Sequence, residues 1–581
     1  MLNCIVKLTD FVAEYLENEG VEVCFMVSGG AVLHLLDSID RNSTIRIVCS
    51  QHEQFAATAA DAFSRISKSK LGMCVATSGP GATNLVTGVS NAFFDSIPMI
   101  CITGQVSTFR ESPNNNLRQY GFQETNVIDI FKPITKYATK IDKPENIKYE
   151  LGKALYLARS GRPGPVLIDL PDDLQRVDID PKKLKSFEPQ NSPTSNHKYM
   201  EELSSKVSKL VAKSKTPLII LGAGVRIAGC ENSIKDFIED LNVPFITTWG
   251  AKDLFPEEHH LNIGTFGICG SRHGNWAISE SDLIIVLGAR LNQMQVGSKI
   301  QEFASKSYKV LVDIDRFELE KFKKLGLKID LAINLNLKEF IDETKLNKFT
   351  DSNWHDWLLK IKSEFPIISE HRRDMSQINA YQFIDLLSKK IEKNSIIITD
   401  AGGNLSWTMQ SFNIKHSQRL ISAWNHSPMG FSLPAAIGAS FADSRKSINC
   451  IIGDGGLMMC LQELGTISRH KLPINIFIFN NRGHGIQKQT INTWLDGNQI
   501  GVDHETGLFF PDFEFIAKSF RISYRRIESI SEAESITFSD NQFPIIYDVM
   551  IKPDQTIHPM LVFGGDLTNL DKSVLKPVYS E

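Results

Sequence analysis

Two glycine-rich polar motifs, one strand-and-helix unit apart, constrain the fold of this chain more than any other feature. The motifs are Gly453-Asp454-Gly455-Gly456 and Asn480-Asn481-Arg482-Gly483, and each follows a strand-like apolar run. Between Gly455 and Asn480 there are 24 residues. Successive parallel strands end at the same edge of a sheet. Asp454 and Asn481 are therefore predicted to bind one Mg²⁺ together with a diphosphate, because oxygen ligands suit that ion and glycines let the backbone approach phosphate closely.

Apolar runs alternate with helical patterns along almost the whole chain, for example at 21–27, 45–49, 72–76 and 98–103. This alternation predicts an α/β protein built from doubly wound parallel sheets. A chain of 581 residues is too long for a single core. We predict three domains at residues 1–181, 199–345 and 377–555, a polar linker between the first two, and a C-terminal tail at 556–581.

The composition excludes several classes of function. Apolar residues make up 42% and charged residues 22% of the chain, which is ordinary for a globular enzyme. The net charge of -4 comes from scattered side chains, so neither nucleic acid nor a membrane is an expected partner. The nine cysteines form no C-x-x-C pair and are predicted to be reduced core residues. The start has no signal-peptide pattern and no stretch could span a bilayer, so we predict a cytoplasmic protein.

The paired motifs resemble those of thiamine diphosphate (ThDP)-dependent enzymes. Further blocks, at 28–31, 76–84 and 160–166, are similar to the acetolactate synthase large (catalytic) subunit branch of that superfamily. The resemblance covers roughly the whole chain. It implies a pyrimidine-binding domain, a central domain and a diphosphate-binding domain, with ThDP and Mg²⁺ as cofactors and Gly483 as a third metal ligand.

Glu53 follows a predicted strand and begins a predicted helix, in the segment Gln51-His52-Glu53-Gln54. A glutamate in a first helical turn interacts favourably with the helix dipole, which is a structural reason for its presence. The resemblance implies a catalytic role: the glutamate binds N1′ of the aminopyrimidine and promotes the tautomer that removes the thiazolium C2 proton. The family's arginine at the position of Gln51 is absent here, but the glutamate is retained.

The same resemblance assigns other residues to the cofactor and the substrate. The carbonyl of Ser427 is expected to accept the 4′-amino group, and Met429 is expected to support the bent cofactor. Gly30 is expected to line the reaction pocket, with Phe122 and Gln123 beside the substrate. The remaining residues expected to bind the cofactor are Gly402, Gly403, Asn404, Gly453, Gly455 and Gly456.

The chain departs from the acetolactate synthase pattern where the second substrate binds. The family's Arg-Phe-Asp-Asp-Arg is Arg290-Leu291-Asn292-Gln293-Met294 here, so the guanidinium that holds the acceptor carboxylate is missing. His484, Gln487 and Thr490 replace family residues on the acceptor side, and His484 is a candidate donor to a substrate oxygen. Blocks at 222–224, 288–290 and 313–315 resemble flavin-domain segments and leave FAD open as a further cofactor.

The resemblance implies an enzyme that decarboxylates a 2-oxo acid, pyruvate first, and transfers the resulting hydroxyethyl-ThDP carbanion to a carbonyl acceptor. Pyruvate as acceptor gives 2-acetolactate, and a keto sugar of surface-polysaccharide or specialised metabolism is the alternative. A non-catalytic scaffold or regulatory subunit is the alternative from another class. Because Glu53 and Asp454 lie in different domains, and the family completes its site across a subunit interface, we expect a homodimer or homotetramer.

Overall fold

Three parallel sheets of six strands each organise the chain in the computed structural model. The structure describes residues 5–114, 116–189, 197–370, 377–444, 446–538, 543–561, 564–568, 570, 574 and 576–579. Helices pack on both faces of the sheets, which confirms the predicted α/β class with three doubly wound units. The limits of the three domains stay predictions.

The first unit carries a parallel sheet beside a short antiparallel strand pair. Its strands are β1 (Val6–Lys7), β2 (Val23–Met26), β3 (Arg46–Cys49), β4 (Gly72–Ala76), β5 (Met99–Gln105), β6 (Tyr137–Lys140), β7 (Pro165–Pro171) and β8 (Asp178–Ile179). Its helices are α1 (Leu8–Asn18), α2 (Leu33–Asn42), α3 (Glu53–Ile66), α4 (Pro80–Asn84), α5 (Val86–Asp95), α6 (Val127–Phe131) and α7 (Ile147–Arg159). The sheet order is β3-β2-β4-β5-β7-β6, and β1 pairs with β8. One face packs on α1, α2 and α7, and the other on α3 and α5.

The central unit is also a six-stranded parallel sheet, but its strand order differs from that of the first unit. Its strands are β9 (Pro217–Leu221), β10 (Phe245–Thr247), β11 (Asn262–Thr265), β12 (Leu283–Leu287), β13 (Tyr308–Asp313) and β14 (Leu331–Asn334), in the order β11-β10-β9-β12-β13-β14. Its helices are α8 (His197–Lys213), α9 (Gly224–Ile227), α10 (Ser233–Leu241), α11 (Arg272–Glu280), α12 (Gln293–Val296), α13 (Arg316–Leu325), α14 (Leu337–Glu343), α15 (Ser352–Glu364) and α16 (Ile367–Glu370). Helix α15 belongs to this core, because its buried Trp354 donates to the carbonyl of Pro217 at 2.9 Å.

The third unit has the order β16-β15-β17-β18-β20-β19. Its strands are β15 (Ile396–Thr399), β16 (Arg419–Ile421), β17 (Ile448–Gly453), β18 (Ile474–Asn480), β19 (Ser523–Ile527) and β20 (Ile545–Met550). Its helices are α17 (Ala380–Lys390), α18 (Gly403–Ser411), α19 (Ser432–Ala442), α20 (Asp454–Cys460), α21 (Leu464–His470), α22 (Gly485–Trp494), α23 (Phe513–Ser519) and α24 (Ile530–Glu534). Buried on both faces, its central strands are continuous apolar runs, as parallel sheets require.

The first and third units share one core through α3 and α19. Both helices are rich in small residues at their contact, which lets their backbones approach closely. A Cβ added to Gly438 would lie 2.0 Å from the carbonyl oxygen of Ala59. At the end of α3, the Arg65 guanidinium lies 5.8 Å from the ring of Phe431, just before α19 begins. The helices are therefore antiparallel, and α3 starts far from the start of α19.

The eight cysteines among the described residues are all free, but Cys49 is exposed. It ends β3, which is the edge strand of its sheet, so the prediction of a core position is wrong there. After β20 the chain returns to the central unit, where Trp276 donates to the carbonyl of Thr568 at 2.8 Å. Across the described ranges, no helix is both long and apolar enough to cross a bilayer.

Substitution of Gly438 by alanine should destabilise the protein, because the new methyl group must push α19 away from Ala59. Overpacking of this kind costs about 1–3 kcal/mol. Gly465→Ala is the matched control in α21, since its Cβ would have no neighbour nearer than 3.6 Å. In urea unfolding, only Gly438→Ala should have a lower free energy of unfolding than the wild type. Equal free energies of unfolding for both variants would contradict the close packing of the two helices.

Candidate functional site

The predicted metal and phosphate motifs lie at the carboxyl edge of the third sheet. The chain passes from β15 to β16 on one side of it and then crosses back to β17 on the other side. In open α/β sheets such a reversal creates a crevice beyond the strand ends, where ligands bind. The motifs follow β15, β17 and β18, which are neighbours in this sheet. Segments distant in sequence therefore meet at one crevice.

Asp454 begins α20 directly after β17 and is only 1% exposed. Its carboxylate accepts the N–H of Gly455 at 2.7 Å and that of Gly483 at 3.1 Å, which joins the two motifs. Burial raises the pKa of Asp454 to about 7, opposed by these backbone donors. Asn481 is buried at the end of β18. A buried carboxylate, an amide oxygen and a nearby main-chain carbonyl are a donor set that fits Mg²⁺, whose charge would offset the lost hydration.

Two glycine-rich loops approach each other at this crevice. Gly402 has a φ of +85°, a conformation that favours glycine, and α18 begins at the next residue. Asn404 is buried in the first turn of α18, and its Nδ2 would lie 2.9 Å from a Cβ on Gly453. The first turn of α18 therefore packs on the loop before α20, and the unbonded N–H groups of a helix start are suited to phosphate oxygens.

Asp400 links three segments of the site, a role that the sequence analysis missed. It is 1% exposed, and its two oxygens each accept a backbone N–H at 3.0 Å, from Gly430 and Ser432. A Cβ on Gly456 would lie 2.1 Å from Asp400 Oδ2. Burial raises the pKa of Asp400 to about 6, opposed by the backbone donors. No local pattern signals this role, because the donors lie 30 and 32 residues further along the chain.

Met429 and His484 converge over Gly455. A Cβ on Gly455 would lie 2.6 Å from the imidazole Nε2 and 3.2 Å from the methionine Cε. Ser427 has a φ of +52°, which turns the chain immediately before Met429. Desolvation lowers the pKa of His484, which favours a neutral imidazole at neutral pH. Gln487 is exposed one turn later on α22.

Glu53 lies at the carboxyl edge of the first sheet. It is the first residue of α3, whose N-cap His52 accepts the N–H of Gln54 at Nδ1. The carboxylate is 9% exposed, and its Oε2 accepts a hydrogen bond from Asn84 at 2.9 Å. Gly81 faces the other oxygen, because a Cβ there would lie 3.3 Å from Oε1. One carboxylate oxygen is thus oriented by Asn84, and the other lies beside a residue without a side chain.

The three residues predicted to line the substrate pocket of the first unit are at the same edge. Gly30 opens a short turn after β2, and a Cβ there would meet nothing within 4 Å. Gln123 has a φ of +63° and packs on the glycine turn before α4. Phe122 is 86% exposed. Thr77 packs against both the turn before Gly30 and the turn that faces Glu53, which connects the group.

The Glu53 edge and the Asp454 edge belong to different sheets of the chain. The last turn of α3 lies on the third unit, where Arg65 donates to the carbonyl of Ser422 at 3.0 Å and contacts Phe431. Glu53 is 12 residues earlier, about 18 Å along the helix axis. Glu53 therefore lies at the opposite end of α3 from the Arg65 contact, and Glu53 and Asp454 form two half-sites on different sheets of the chain.

A cavity of about 340 Å³ lies between the central unit and its neighbours. It opens at the carboxyl ends of β9, β12 and β13, where the order of the central sheet reverses. Its lining includes Gly224, Gly288 and Asp313, at the ends of those three strands. Met294 also lines it and is 50% exposed. The flavin-like blocks of the sequence thus surround one ligand-sized space.

Glu239, His259 and His260 form a group on the central unit whose ligand atoms lie within 4.8 Å of one another. His259 Nδ1 accepts the N–H of Leu261 at 3.2 Å, so its Nε2 carries the proton in the neutral ring. That nitrogen lies 2.9 Å from a Glu239 oxygen. Glu239 and His259 therefore form a hydrogen-bonded pair, and His260 stacks on His259. The proton on His259 Nε2 disfavours a metal ion at this position.

Three family models match this chain in succession. They are the thiamine pyrophosphate enzyme N-terminal TPP binding domain at residues 6–130, the central domain at 204–343 and the C-terminal TPP binding domain at 400–537. The first and third models cover the two half-sites, at Glu53 and at Asp454.

Curated relatives match almost the full length. The probable acetolactate synthase large subunits of Methanococcus aeolicus and Methanocaldococcus jannaschii are 35% and 34% identical, over 96% and 99% of this chain and 94% and 98% of theirs. The acetolactate synthase isozyme 1 large subunit of Escherichia coli is 31% identical over 97% of both chains. With three matching domains and relatives of this identity, the chain belongs to the thiamine pyrophosphate enzyme family, among its acetolactate synthase-like members.

Proposed function

We propose that this chain is a ThDP- and Mg²⁺-dependent enzyme that decarboxylates a 2-oxo acid, pyruvate first, and joins the remaining two-carbon unit to a carbonyl acceptor. The observation that carries the proposal is the crevice of the third sheet, where a buried carboxylate and two glycine-rich loops meet. The names of the relatives support acetolactate as the product. When bound, ThDP supplies the carbanion chemistry of the cleaved carbon–carbon bond.

The third unit would hold the cofactor by its diphosphate. Asp454, Asn481 and the carbonyl of Gly483 would bind Mg²⁺, which in turn binds phosphate oxygens. The loops at 402–404 and 453–456 would contact the diphosphate through their N–H groups. Met429 would support the cofactor next to Gly455, and the Ser427 carbonyl would orient its amino group. Asp400 fixes the loop of both residues through Gly430 and Ser432.

Glu53 would act on the other end of the cofactor. Its buried carboxylate, oriented by Asn84, would bind N1′ of the aminopyrimidine and hold a proton there. A proton held at a fixed position in a site that excludes water can be moved repeatedly between the same atoms. This is the catalytic role proposed for Glu53.

Because Glu53 and Asp454 lie on different sheets, as in a family that completes its site across a subunit interface, we propose that two copies complete each site, in a homodimer or a pair of homodimers. Apolar side chains at both edges support this arrangement. The exposed residues are Phe109 (68%), Tyr120 (69%) and Phe122 (86%) on the first unit, and Trp494 (63%) and Phe509 (71%) on the third. Exposed apolar groups of this kind indicate an interaction surface, which a second copy would bury.

Two kinds of carbonyl acceptor are candidates for the second substrate. Pyruvate as acceptor brings a carboxylate, and Met294 offers no charge to bind it. A carbonyl acceptor without a carboxylate, such as a keto sugar, needs no positively charged partner and is the second candidate. The neutral His484 would donate to the acceptor oxygen, with Gln487 nearby on α22. A cytoplasmic location stays a prediction.

We further propose that FAD binds in the cavity of the central unit. The glycine turns at 222–224 and 288–290 pack closely on each other, since a Cβ on Gly224 would lie 2.7 Å from Gly288 Cα, and both turns line the cavity at the strand ends. Asp313 lines it too and is a suitable partner for ribose hydroxyls. Arg162 lines the same cavity and bonds to Asp315 at 2.9 Å, which fixes the loop after β13. The cavity lies at the reversal point of its sheet, as nucleotide sites of such folds do.

Purified protein with pyruvate, ThDP and Mg²⁺ should release carbon dioxide, and Glu53→Gln should lower the rate about 100-fold or more, because the amide cannot hold the proton. Acetolactate formed in proportion to carbon dioxide would favour pyruvate as acceptor, and carbon dioxide without acetolactate would favour the second candidate. If ThDP and Mg²⁺ neither raise the melting temperature nor support turnover, the chain is a scaffold or regulatory subunit and the proposal fails.

Ala228→Trp should abolish FAD binding, because the indole would fill part of the cavity that Ala228 lines. Ala332→Trp, at an exposed position of the same unit, is the control. Equilibrium dialysis with FAD should give bound flavin absorbance for the wild type and the control only. Equal flavin binding by all three proteins would place FAD elsewhere, and no binding by the wild type would exclude it.

A further inference from the structure

Glu463 is a fully buried carboxylate of the third unit that contacts the segment leading into Glu53. It is 0% exposed, and its Oε1 accepts the N–H of Gln51 at 2.7 Å, from a residue 412 positions away in the sequence. The N–H of His52 bonds to the same carboxylate. One side chain therefore holds two consecutive main-chain groups immediately before α3.

Thr466 completes this contact from the next helical turn. Its hydroxyl donates to Glu463 Oε2 at 2.8 Å and lies 3.4 Å from the carbonyl oxygen of Cys49. Burial raises the pKa of Glu463 to about 7, opposed by these hydrogen bonds. A carboxylate so deeply buried costs stability unless its hydrogen bonds compensate. Glu463, Thr466 and the segment 49–52, which they hold, are together named the carboxylate clamp.

The carboxylate clamp holds the main chain immediately before the start of α3. His52 is the N-cap of this helix, and Glu53 is its first residue. Because a helix is stiff, the main chain at Gln51 and His52 sets the direction in which the Glu53 side chain leaves it. Catalytic geometry tolerates little error: a displacement of about 1 Å can cost about 100-fold in rate.

We propose that Glu463 is a positioning residue, which holds the main chain ahead of Glu53 so that the Glu53 carboxylate points to the aminopyrimidine of ThDP. The inference rests on the proposed function and deepens it, because Glu463 itself would touch neither cofactor nor substrate. Asp454 and Glu463 are joined by α20 and one further turn, nine residues or about 14 Å. The clamp thus ties the segment before Glu53 to the third unit of its own chain.

The first test uses cofactor-free protein. Glu463→Gln keeps the shape of the side chain but loses one acceptor oxygen, so the amides of Gln51 and His52 should exchange with deuterium about tenfold faster, as the loss of one hydrogen bond implies. Mass spectrometry of a peptide spanning 49–55 measures this rate. Glu257→Gln is the control, a glutamate of the central unit paired with two lysines. Unchanged exchange in Glu463→Gln would overturn the inference.

The second test uses protein saturated with ThDP and Mg²⁺. In Glu463→Gln, exchange of the thiazolium C2 proton and the kcat should fall about 10- to 100-fold, with little change in ThDP affinity or KM. Thr466→Val should give a smaller fall and serves if the first variant does not fold. A loss of ThDP affinity instead, or the same fall in Glu257→Gln, would indicate a merely structural role and overturn the inference.

ThDP binding and activity of the wild type distinguish a failure of the positioning role from a failure of the proposed function on which it rests. If the wild type does not bind ThDP, the proposed function and the role of Glu463 fail together. If the wild type is active and Glu463→Gln matches it in C2 exchange, only the positioning role fails.

Discussion

The close antiparallel packing of α3 against α19 is the constraint on which the rest of the structure depends. At its centre no Cβ fits between Gly438 and the backbone of Ala59. This contact joins the first and third units into one core and sets the direction of α3. It therefore places Glu53 about 18 Å along the helix from the end that lies by Phe431. The same packing holds the sheets that carry the two half-sites in a fixed relation to each other.

Buried carboxylates held by backbone N–H groups organise the loops around both half-sites. Asp400 fixes the loop of Met429, and Glu463 fixes the segment before Glu53, each through two main-chain donors. Asp454 also accepts two N–H groups, and burial raises its pKa as it does for the others. Asp454 differs in lying directly after β17, joined to the motif of Asn481 through the N–H of Gly483. The same local chemistry thus supports loops in all three cases, and at Asp454 it also forms the proposed metal site.

The sequence was sufficient for the fold class and for the two half-sites as separate groups. Buried parallel strands read as continuous apolar runs, and glycine turns with Asp454 and Asn481 directly follow two of them. It was not sufficient for Asp400 and Glu463, because their partners are distant in the sequence and an acidic residue in a helix or loop carries no sign of burial. The exposure of Cys49 was missed for a similar reason: strand order, which puts β3 at an edge, is not visible in a local pattern. The sequence does not predict the acceptor, because Met294 removes a carboxylate ligand without supplying a polar group specific for another acceptor.

The central claim is that Glu53 of one copy and Asp454 of another form one site. Mixing two inactive variants, Glu53→Gln and Asp454→Asn, after dissociation and reassociation tests it most directly. Random pairing makes half of the dimers mixed, each with one intact site of two, so about a quarter of the wild-type rate should return. Each variant alone should stay inactive. No recovery on mixing, with dimers shown to have exchanged subunits, would contradict the account.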